Sequence, residues 1–292
     1  MILILSHENF CAKVQYFLHI CKEKYEKVML DILFSDTNYF FTPSVCVSHK
    51  KAVTLSRNYK STTMIIIFDL DGTLINTIDD LGQACNHALS ACHFPTHPIE
   101  DYPLLVGNGI NKLIERALPE QHRNEATVLR LREHFVPYYD QHNCELTRPY
   151  DGIPELLKTL KAKGHTLAVA SNKYQAATEK IVEHFFLGIF DVVLGERVGI
   201  PRKPDPQIVW DIIHRLSEVP KNAHGVLDCS SPLASHLLPI YYIGDSLVDA
   251  ETAKAAKLPF VACTWGFCTK EQLLTTHLDH IVDHPSEILE FI

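Results

Sequence analysis

The sequence predicts an α/β fold, in which a doubly wound parallel sheet carries an inserted α-helical segment. An apolar run, Ile65–Phe68, has the length and composition of a strand buried on both faces of a sheet. From residue 149 onward, short apolar runs alternate with helical patterns, which is typical of repeated β-α units. Residues 79–148 show helical periodicity and no strand pattern, so the helical segment is expected to follow the first strand.

Length and composition limit the class of protein. The 292 residues are 46% hydrophobic and 21% charged, as in soluble globular proteins, and the length suggests about two domains. The formal net charge of −8, without a basic block, argues against nucleic acid as a partner. The sequence contains no run of about 18 apolar residues, so no membrane span is expected. Scattered Cys residues without a secretory signal are typical of reduced thiols, which predicts a cytoplasmic protein.

Residues 1–63 differ from the rest of the chain. They contain no Gly and one Pro, so the usual turn residues are missing, and no group of side chains has an evident chemical role. Met64 directly precedes the first predicted strand, which suggests that translation starts there and that 1–63 is a mis-assigned or accessory extension. The alternative is a docking segment that packs its aromatic residues on a partner. An intact mass that includes residues 1–63, measured on protein from the native locus, would exclude the first hypothesis.

The first strand ends in a polar turn, Asp69-Leu70-Asp71-Gly72-Thr73. Two carboxylates at the carboxyl end of a buried strand lie where open α/β sheets bind ligands. They suit chelation of a hard cation such as Mg²⁺, or a site in which one carboxylate attacks as a nucleophile and the other moves protons. From these residues alone, an ordinary polar strand end with an Asp-Gly turn is the alternative.

Helical patterns follow this turn, with Thr77 as a candidate N-cap. A Gly-rich turn at Val106–Gly109 separates the first pattern from the later ones, and Arg148–Gly152 is expected to form a loop. The predicted helices cover Leu81–Cys92, Ile110–Leu118 and Arg123–Gln141.

Beyond Gly152 the pattern alternates between helices and strands, and right-handed crossovers place the carboxyl ends of the strands on one edge of the sheet. The predicted helices are Ile153–Lys163, Tyr174–Phe186, Gln207–Leu216 and Ala250–Ala256. The predicted strands are Thr166–Ala170, Asp191–Leu194, Ile240–Ile243, Phe260–Cys263 and His280–Val282.

Polar side chains follow these later strands as well. Ser171 and Asn172 follow one strand, Lys203 stands in a Pro-rich loop, and Asp245 and Asp249 follow another strand. Together with the carboxylates of the first strand, they suit a phosphoryl group on Mg²⁺. The metal and the lysine would neutralise phosphate oxygens, while the hydroxyl and backbone amides hold them. Each piece alone is ambiguous, but their order and strand context together favour a phosphoryl-transfer site.

These segments resemble the four motifs of the haloacid dehalogenase-like hydrolases, over about residues 64–292. The resemblance implies a Rossmann-like core of residues 64–78 and 149–292 and an α-helical cap of residues 79–148. It also implies phosphatase chemistry, because dehalogenases lack an Asp at the position of Asp71 and P-type ATPases have DKTGT there. The matching segments are DLDGT at Asp69–Thr73, SN at Ser171-Asn172, KPDP at Lys203–Pro206 and GDSLVD at Gly244–Asp249.

The resemblance implies roles for the motif residues. Asp69 would attack phosphorus and form an aspartyl-phosphate, and Asp71 would protonate the leaving alkoxide and then take a proton from water. Mg²⁺ would bind Asp69, the backbone carbonyl of Asp71, and Asp245. Asp249 would order the metal's water ligands or pair with Lys203.

Finer features resemble the bacterial phosphoglycolate phosphatases within that family. They are VGNG at Val106–Gly109 with Arg116, and the segments TRPYDG, SNK and TWGF. This implies that Asn108 and Arg116 contact the substrate from the cap. A plain turn and a solvated helix residue are the alternatives for these two. The expected ligands of the phosphoryl group are Thr73, Ser171, Asn172 and Lys203.

The expected function is Mg²⁺-dependent hydrolysis of a small phosphorylated metabolite, 2-phosphoglycolate, by a monomer or homodimer. The alternatives are a pyrophosphatase, a sugar-phosphate phosphatase, a β-phosphoglucomutase or, outside the enzymes, a non-catalytic binding relative. Two features depart from the family pattern. Asn76 replaces a common Asp, and residues 221–239 form an expected loop insertion that puts the placement of Asp245 in question.

Overall fold

The computed structural model describes residues 63–218 and 238–292, together with two short strands near the N-terminus. These strands, Cys46–Ser48 and Lys51–Val53, pair antiparallel within a unit of their own, Met1–Tyr59. The second unit, Lys60–Ile292, contains all elements described below. The predictions made for the other residues before 63, and for most of the 221–239 insertion, lie outside the described residues.

The described part of the second unit contains eight strands, six of them in one parallel sheet. Their order across this sheet is β8-β7-β6-β1-β4-β5, which places β1 between β6 and β4. The three polar strand ends of β1, β4 and β6 therefore meet at one edge. The strands are β1 (Ile65–Phe68), β2 (Ile75–Asn76), β3 (Arg148–Pro149), β4 (Thr166–Tyr174), β5 (Val192–Glu196), β6 (Ile240–Gly244), β7 (Phe260–Cys263) and β8 (His280–Val282).

The described part of this unit also contains nine α-helices, four of which precede β3. The first four are α1 (Ile78–Ala91), α2 (Tyr102–Leu105), α3 (Ile110–Ala117) and α4 (Glu125–His142). The others are α5 (Ile153–Ala162), α6 (Gln175–Phe186), α7 (Gln207–Glu218), α8 (Leu247–Ala256) and α9 (Lys270–Leu273). Short 3₁₀ turns cover Ile99–Asp101, Glu120–His122 and Pro285–Glu290.

Helices cover both faces of the sheet, so β1 is buried along its whole length. Ile66 and Phe68 pack into one hydrophobic core with residues of α5 and α6. Ile65 and Ile67 pack into a second core with residues of α7 and α8. This two-sided burial explains why the strand is a continuous apolar run, and it confirms the predicted fold class of a doubly wound sheet with an inserted helical segment.

The helical segment leaves and rejoins the sheet through a two-residue ribbon. β2 and β3 pair antiparallel, with Ile75 opposite Pro149. The prediction of a loop throughout Arg148–Gly152 was therefore wrong at its first two residues, because two paired residues are too few to show a strand pattern. The boundaries at 79 and 148 proposed for the cap stay a prediction.

Two predicted helix starts differ from the structure. Helix α1 begins at Ile78 rather than at Leu81, directly after its predicted N-cap Thr77. The Thr77 side chain makes no capping hydrogen bond, and Asn76 Oδ1 accepts the N–H of Ile78 at 3.1 Å. Helix α8 begins at Leu247 rather than at Ala250, because Ser246 caps it. The Ser246 hydroxyl accepts from the third helical residue, Asp249, whose carboxylate accepts from Ser246 in return. Asp249 therefore lies in the first turn of a helix.

Candidate active site

Asp69 follows β1 directly and prolongs its ladder, because its N–H donates to Ile243 O of β6 at 2.9 Å. Gly72 then turns the chain with a φ of +87°. A Cβ at Gly72 would lie 2.3 Å from Asp245 Oδ2, so a larger residue would displace that carboxylate. The turn thus packs the loop after β1 against the loop after β6.

Lys203 joins two buried carboxylates. Its Nζ lies 2.8 Å from Asp69 Oδ1 and 2.8 Å from Asp249 Oδ1, and it also donates to Ala170 O at 2.8 Å and to the Tyr242 hydroxyl at 3.2 Å. Burial alone would lower the pKa of Lys203, but Asp249 and Asp69 hold it well above its usual value. Lys203 is therefore a cation. Burial, and then the charge of Asp249, raise the pKa of Asp69, while Lys203 opposes this rise.

Asp245 follows β6 and is held by two donors. Its Oδ1 accepts from the Thr73 hydroxyl at 2.9 Å, and its Oδ2 accepts from the N–H of Phe267 at 2.8 Å. A Cβ at Gly266 would lie 2.3 Å from Asp245 Cβ, so the backbone there packs directly on the carboxylate. Burial, and then the charge of Asp249, raise the pKa of Asp245 to about 7.

The three carboxylates fit a divalent cation. Asp69, Asp245 and Asp249 each offer an oxygen within 4.8 Å of the others, and all three are buried. Since Lys203 is the cation in contact with two of them, the cluster keeps excess negative charge if all three are ionised. Carboxylate oxygens are the donors that Mg²⁺ prefers. The sequence prediction named Asp69, Asp245 and the backbone carbonyl of Asp71, and the structure brings Asp249 into the same group.

Asp71 has a different environment from Asp69. Its Oδ1 accepts from the Thr77 hydroxyl at 2.8 Å and lies 3.2 Å from Lys173 Nζ. The Lys173 ammonium also donates to the Tyr139 hydroxyl of α4 at 2.8 Å. The Asp71 carboxylate is therefore held outside the three-carboxylate group, between the loop after β1 and the helical segment.

The Asn172 side chain binds both backbone polar groups of Lys203, which stands in the Pro-rich loop. Its Nδ2 donates to Lys203 O at 3.1 Å, and its Oδ1 accepts the N–H of Lys203 at 2.9 Å. The side chain thus positions Lys203, and the predicted phosphate contact of Asn172 would have to come from its backbone. Ser171 is buried, borders the same cavity, and its Oγ accepts the N–H of Lys173 at 3.1 Å. These phosphate contacts stay predictions.

A cavity of about 400 Å³ connects these groups. Its lining includes Asp69, Asp71, Ser171, Lys203 and Asp245. The helical segment contributes most of the apolar lining residues, so the cavity combines charged groups from the sheet edge with apolar groups from this segment. The apolar residues from this segment include Leu81, Val106, Ile110, Leu113 and Phe135.

Arg116 and Asn108 also border the cavity, and they shape its wall. Arg116 donates to Leu105 O and Val106 O, each at 3.0 Å, and to Asn108 Oδ1 at 2.9 Å. From the sheet side, Arg202 donates to Asn108 O at 3.3 Å. The two predicted substrate contacts therefore hold the Gly-rich turn in place, and their contact with a substrate stays a prediction.

The comparison with protein families identifies the family of this chain. The model of the haloacid dehalogenase-like hydrolases matches residues 66–263, which include all four motif segments. The chain belongs to the haloacid dehalogenase-like hydrolase family. Within the described ranges of this hydrolase, no helix has the length and apolar character needed to cross a membrane.

Relatives of this hydrolase include proteins named as phosphatases. The phosphoglycolate phosphatase of Mesorhizobium japonicum is 34% identical over 208 residues, which cover 70% of this chain and 83% of that protein. The phosphoglycolate phosphatase of Aquifex aeolicus is 28% identical over 229 residues, covering 78% and 96%. The crystal structure of a predicted phosphoglycolate phosphatase from Haemophilus somnus 129PT has a TM-score of 0.66 and 27% identity, covering 78% and 97%. The chain is therefore an enzyme, a phosphatase of the haloacid dehalogenase-like type.

Some residues of the site have no role in the sequence prediction. Lys173 stands in the SNK segment, and its only signal is its position two residues after Ser171. Tyr139 belongs to the apolar pattern of a helix, so nothing in the sequence connects it to Lys173. The N–H of Phe267 leaves no side-chain signal at all, because any residue except proline has one.

Proposed function

We propose that this phosphatase hydrolyses a phosphomonoester through an aspartyl-phosphate on Asp69, and that its substrate is 2-phosphoglycolate. The observation that carries the mechanism is the different partners of its two strand-end carboxylates. Asp69 lies against Lys203 in the buried acidic cluster, whereas Asp71 lies against Thr77 and Lys173, and both border one cavity. The names of the curated relatives support the choice of substrate.

The two carboxylates divide the reaction between them. An Asp69 oxygen forms a bond to phosphorus while the bond from phosphorus to the alcohol oxygen breaks. Asp71, in its protonated form, gives its proton to the departing alkoxide, which leaves as glycolate. The Asp71 carboxylate then takes a proton from water as that water attacks phosphorus. Phosphate leaves, and the Asp69 carboxylate is restored.

Other residues of this chain hold the phosphoryl group. Lys203 places its charge beside the attacking carboxylate, where phosphoryl oxygens arrive. Ser171 and the backbone amides of the loop are proposed to donate to the same oxygens, and Thr73 supports the loop through Asp245. The helical segment limits the access of bulk water to the cavity.

Mg²⁺ is the proposed cofactor. Asp69, Asp245 and the backbone carbonyl of Asp71 would hold it, and Asp249 would order its water ligands while it pairs with Lys203. When bound, the ion would neutralise phosphate oxygens as a Lewis acid.

Phosphate release from a substrate panel tests the proposed reaction. The panel contains 2-phosphoglycolate, pyrophosphate, β-glucose 1-phosphate and other sugar phosphates, each with Mg²⁺ and with EDTA. Metal-dependent release with a clear preference for 2-phosphoglycolate is the expected result. Preference for another compound would keep the phosphatase and reject the substrate, and transfer of phosphate between sugar positions would indicate a mutase.

Asp69→Asn tests the nucleophile. We expect phosphate release to be abolished while the circular dichroism spectrum is unchanged, because the amide keeps the shape of the side chain. Asp191→Asn is the matched control, since Asp191 pairs with Lys161 on the surface, just before β5. Unchanged phosphate release by Asp69→Asn would refute the assignment.

A further inference from the structure

Lys173 is a nearly buried lysine beside the cavity, with its side chain only 4% exposed. Besides Asp71, at 3.2 Å, its ammonium has the hydroxyl and ring of Tyr139 as neighbours. The hydroxyl lies 2.8 Å away, and the centre of the ring lies 4.7 Å from Nζ. The hydroxyl and the ring of Tyr139 are neutral, so among these neighbours Asp71 is the one whose carboxylate faces the buried ammonium.

The other cations that border the cavity are more fully engaged. Lys203 faces two carboxylates at 2.8 Å each, besides a carbonyl and a hydroxyl. Arg116 donates through Nη1 to three backbone carbonyls and through Nη2 to Asn108, so it holds the Gly-rich turn. Lys173, by contrast, has three N–H donors, and the hydrogen bond to Tyr139 and the ion pair with Asp71 use two of them. One donor of Lys173 is therefore left for a further anion.

Its position also fits the leaving group rather than the phosphoryl group. Asp71 must reach the oxygen that joins phosphorus to the alcohol if it is to protonate it. Because Lys173 Nζ lies 3.2 Å from Asp71 Oδ1, the ammonium lies next to that bridging oxygen and the atoms bonded to it. The helical segment also lines this cavity with apolar side chains, among them Leu81 and Phe135. An anionic group on the alcohol would find a cation in Lys173.

From this geometry we infer that Lys173 is a specificity-determining residue that binds a carboxylate on the alcohol part of the substrate. This inference rests on the proposed phosphatase reaction and names the chemical class that its leaving group must have. The preferred substrates are phosphomonoesters whose esterified carbon also bears a carboxylate, as in 2-phosphoglycolate. A charge-assisted hydrogen bond in a buried pocket supplies the discrimination, since a neutral hydroxyl at that position gives Lys173 a weaker partner.

The test compares two substrates of nearly the same size in the wild type and in Lys173→Met. The substrates are 2-phosphoglycolate and ethylene glycol monophosphate, in which a hydroxymethyl group replaces the carboxylate. The wild type should prefer the carboxylated ester in kcat/KM, and Lys173→Met should reduce that preference about ten- to a hundredfold. Lys161→Met is the matched control, because Lys161 pairs with Asp191 on the surface, and its preference should equal that of the wild type.

The outcomes separate this inference from the choice of substrate. If Lys173→Met lowers kcat/KM equally for both esters, Lys173 only positions Asp71 or Tyr139, and the inference is overturned. If the wild type prefers a different ester whose esterified carbon bears a carboxylate, such as 2-phospholactate, the proposed substrate fails while the change of preference still tests Lys173.

A second measurement needs no variant that could fail to fold. Glycolate should inhibit the wild-type hydrolysis of ethylene glycol monophosphate at concentrations at least about tenfold below those needed for glycolamide. Equal inhibition by the acid and the amide would show that no cation in the pocket binds the carboxylate, and would overturn the inference.

Discussion

Lys203→Met removes the cation of the acidic cluster while it keeps a side chain of similar length. In the native protein, Nζ has carboxylate oxygens of Asp69 and Asp249 at 2.8 Å, and the Lys203 and Asp249 side chains are almost fully buried. Removing one partner of a buried ion pair costs about 3–5 kcal/mol, because the other charge is left uncompensated. Two carboxylates are left here, so we expect the free energy of unfolding at neutral pH to fall by at least about 3 kcal/mol. That is a large part of the roughly 5–15 kcal/mol that stabilises a typical domain.

The size of this loss should depend on pH. Burial and Asp249 already raise the pKa of Asp69 above its unfolded value, and loss of Lys203 raises it further. A carboxyl group with a raised pKa binds its proton more tightly in the folded state. The free energy of unfolding therefore increases as the pH falls from the folded pKa towards the unfolded pKa. The loss of free energy of unfolding in Lys203→Met should therefore be largest above the folded pKa of Asp69. It should become smaller as the pH falls towards the unfolded pKa of Asp69, which is about 4.

Urea unfolding in EDTA, followed by circular dichroism at about pH 5 and about pH 8, measures this difference. Lys161→Met removes a lysine from a half-exposed surface pair and should cost about 0–1 kcal/mol at both pH values. A deficit of Lys203→Met that is the same at both pH values would refute the reasoning, because lost packing, unlike an uncompensated charge, does not titrate.

Three further predictions follow from single contacts. Gly266→Ala should lower the Mg²⁺ affinity about tenfold or more, because the added Cβ would displace the Asp245 carboxylate. Titration calorimetry measures this affinity. In the control Gly188→Ala, the added Cβ meets nothing within 4 Å, so the Mg²⁺ affinity should be unchanged. Asn172→Ala should cost about 1–3 kcal/mol in urea unfolding and lower kcat, since both hydrogen bonds to the lysine loop are lost, and an unchanged kcat would contradict its positioning role. Burial, and then a nearby lysine, lower the pKa of His165 from its usual 6.5, so wild-type stability should decrease as the pH falls below that value, and His165→Gln should remove this part of the pH dependence.

The central sheet was predictable because its residues carry the signal themselves. Four consecutive buried positions make Ile65–Phe68 an apolar run, and the predicted strand has the observed bounds. The ribbon of β2 and β3 has two residues in each strand, and no periodicity can be seen in two residues. The start of α8 was missed although a signal existed, since Ser246 and Asp249 have the spacing of a capping box.

In the candidate site, the positions of several residues could be predicted from the sequence, but their side-chain partners could not. Asp69 and Asp245, which follow β1 and β6, and Ser171, in the last part of β4, could be placed together from the order of the strands alone. The predicted end of β4 at Ala170 was too early, because the strand continues to Tyr174. Which partner each side chain takes could not be predicted, because it depends on distant segments. Lys173 meets Tyr139 across 34 residues of sequence, and Asp245 meets the N–H of Phe267 after 22.

The ribbon between β2 and β3 has a consequence for how such a protein can vary. Paired antiparallel residues lie about 5 Å apart, so the helical detour between Asn76 and Arg148 begins and ends at nearly the same point. Asp80 fastens that junction, since its carboxylate accepts the N–H groups of Leu146 and Thr147. Because its two ends lie side by side, the helical segment can change in length or shape without moving the strands of the sheet. The chain can therefore exchange the pocket that receives the alcohol while the carboxylates that handle phosphorus stay where the strands put them.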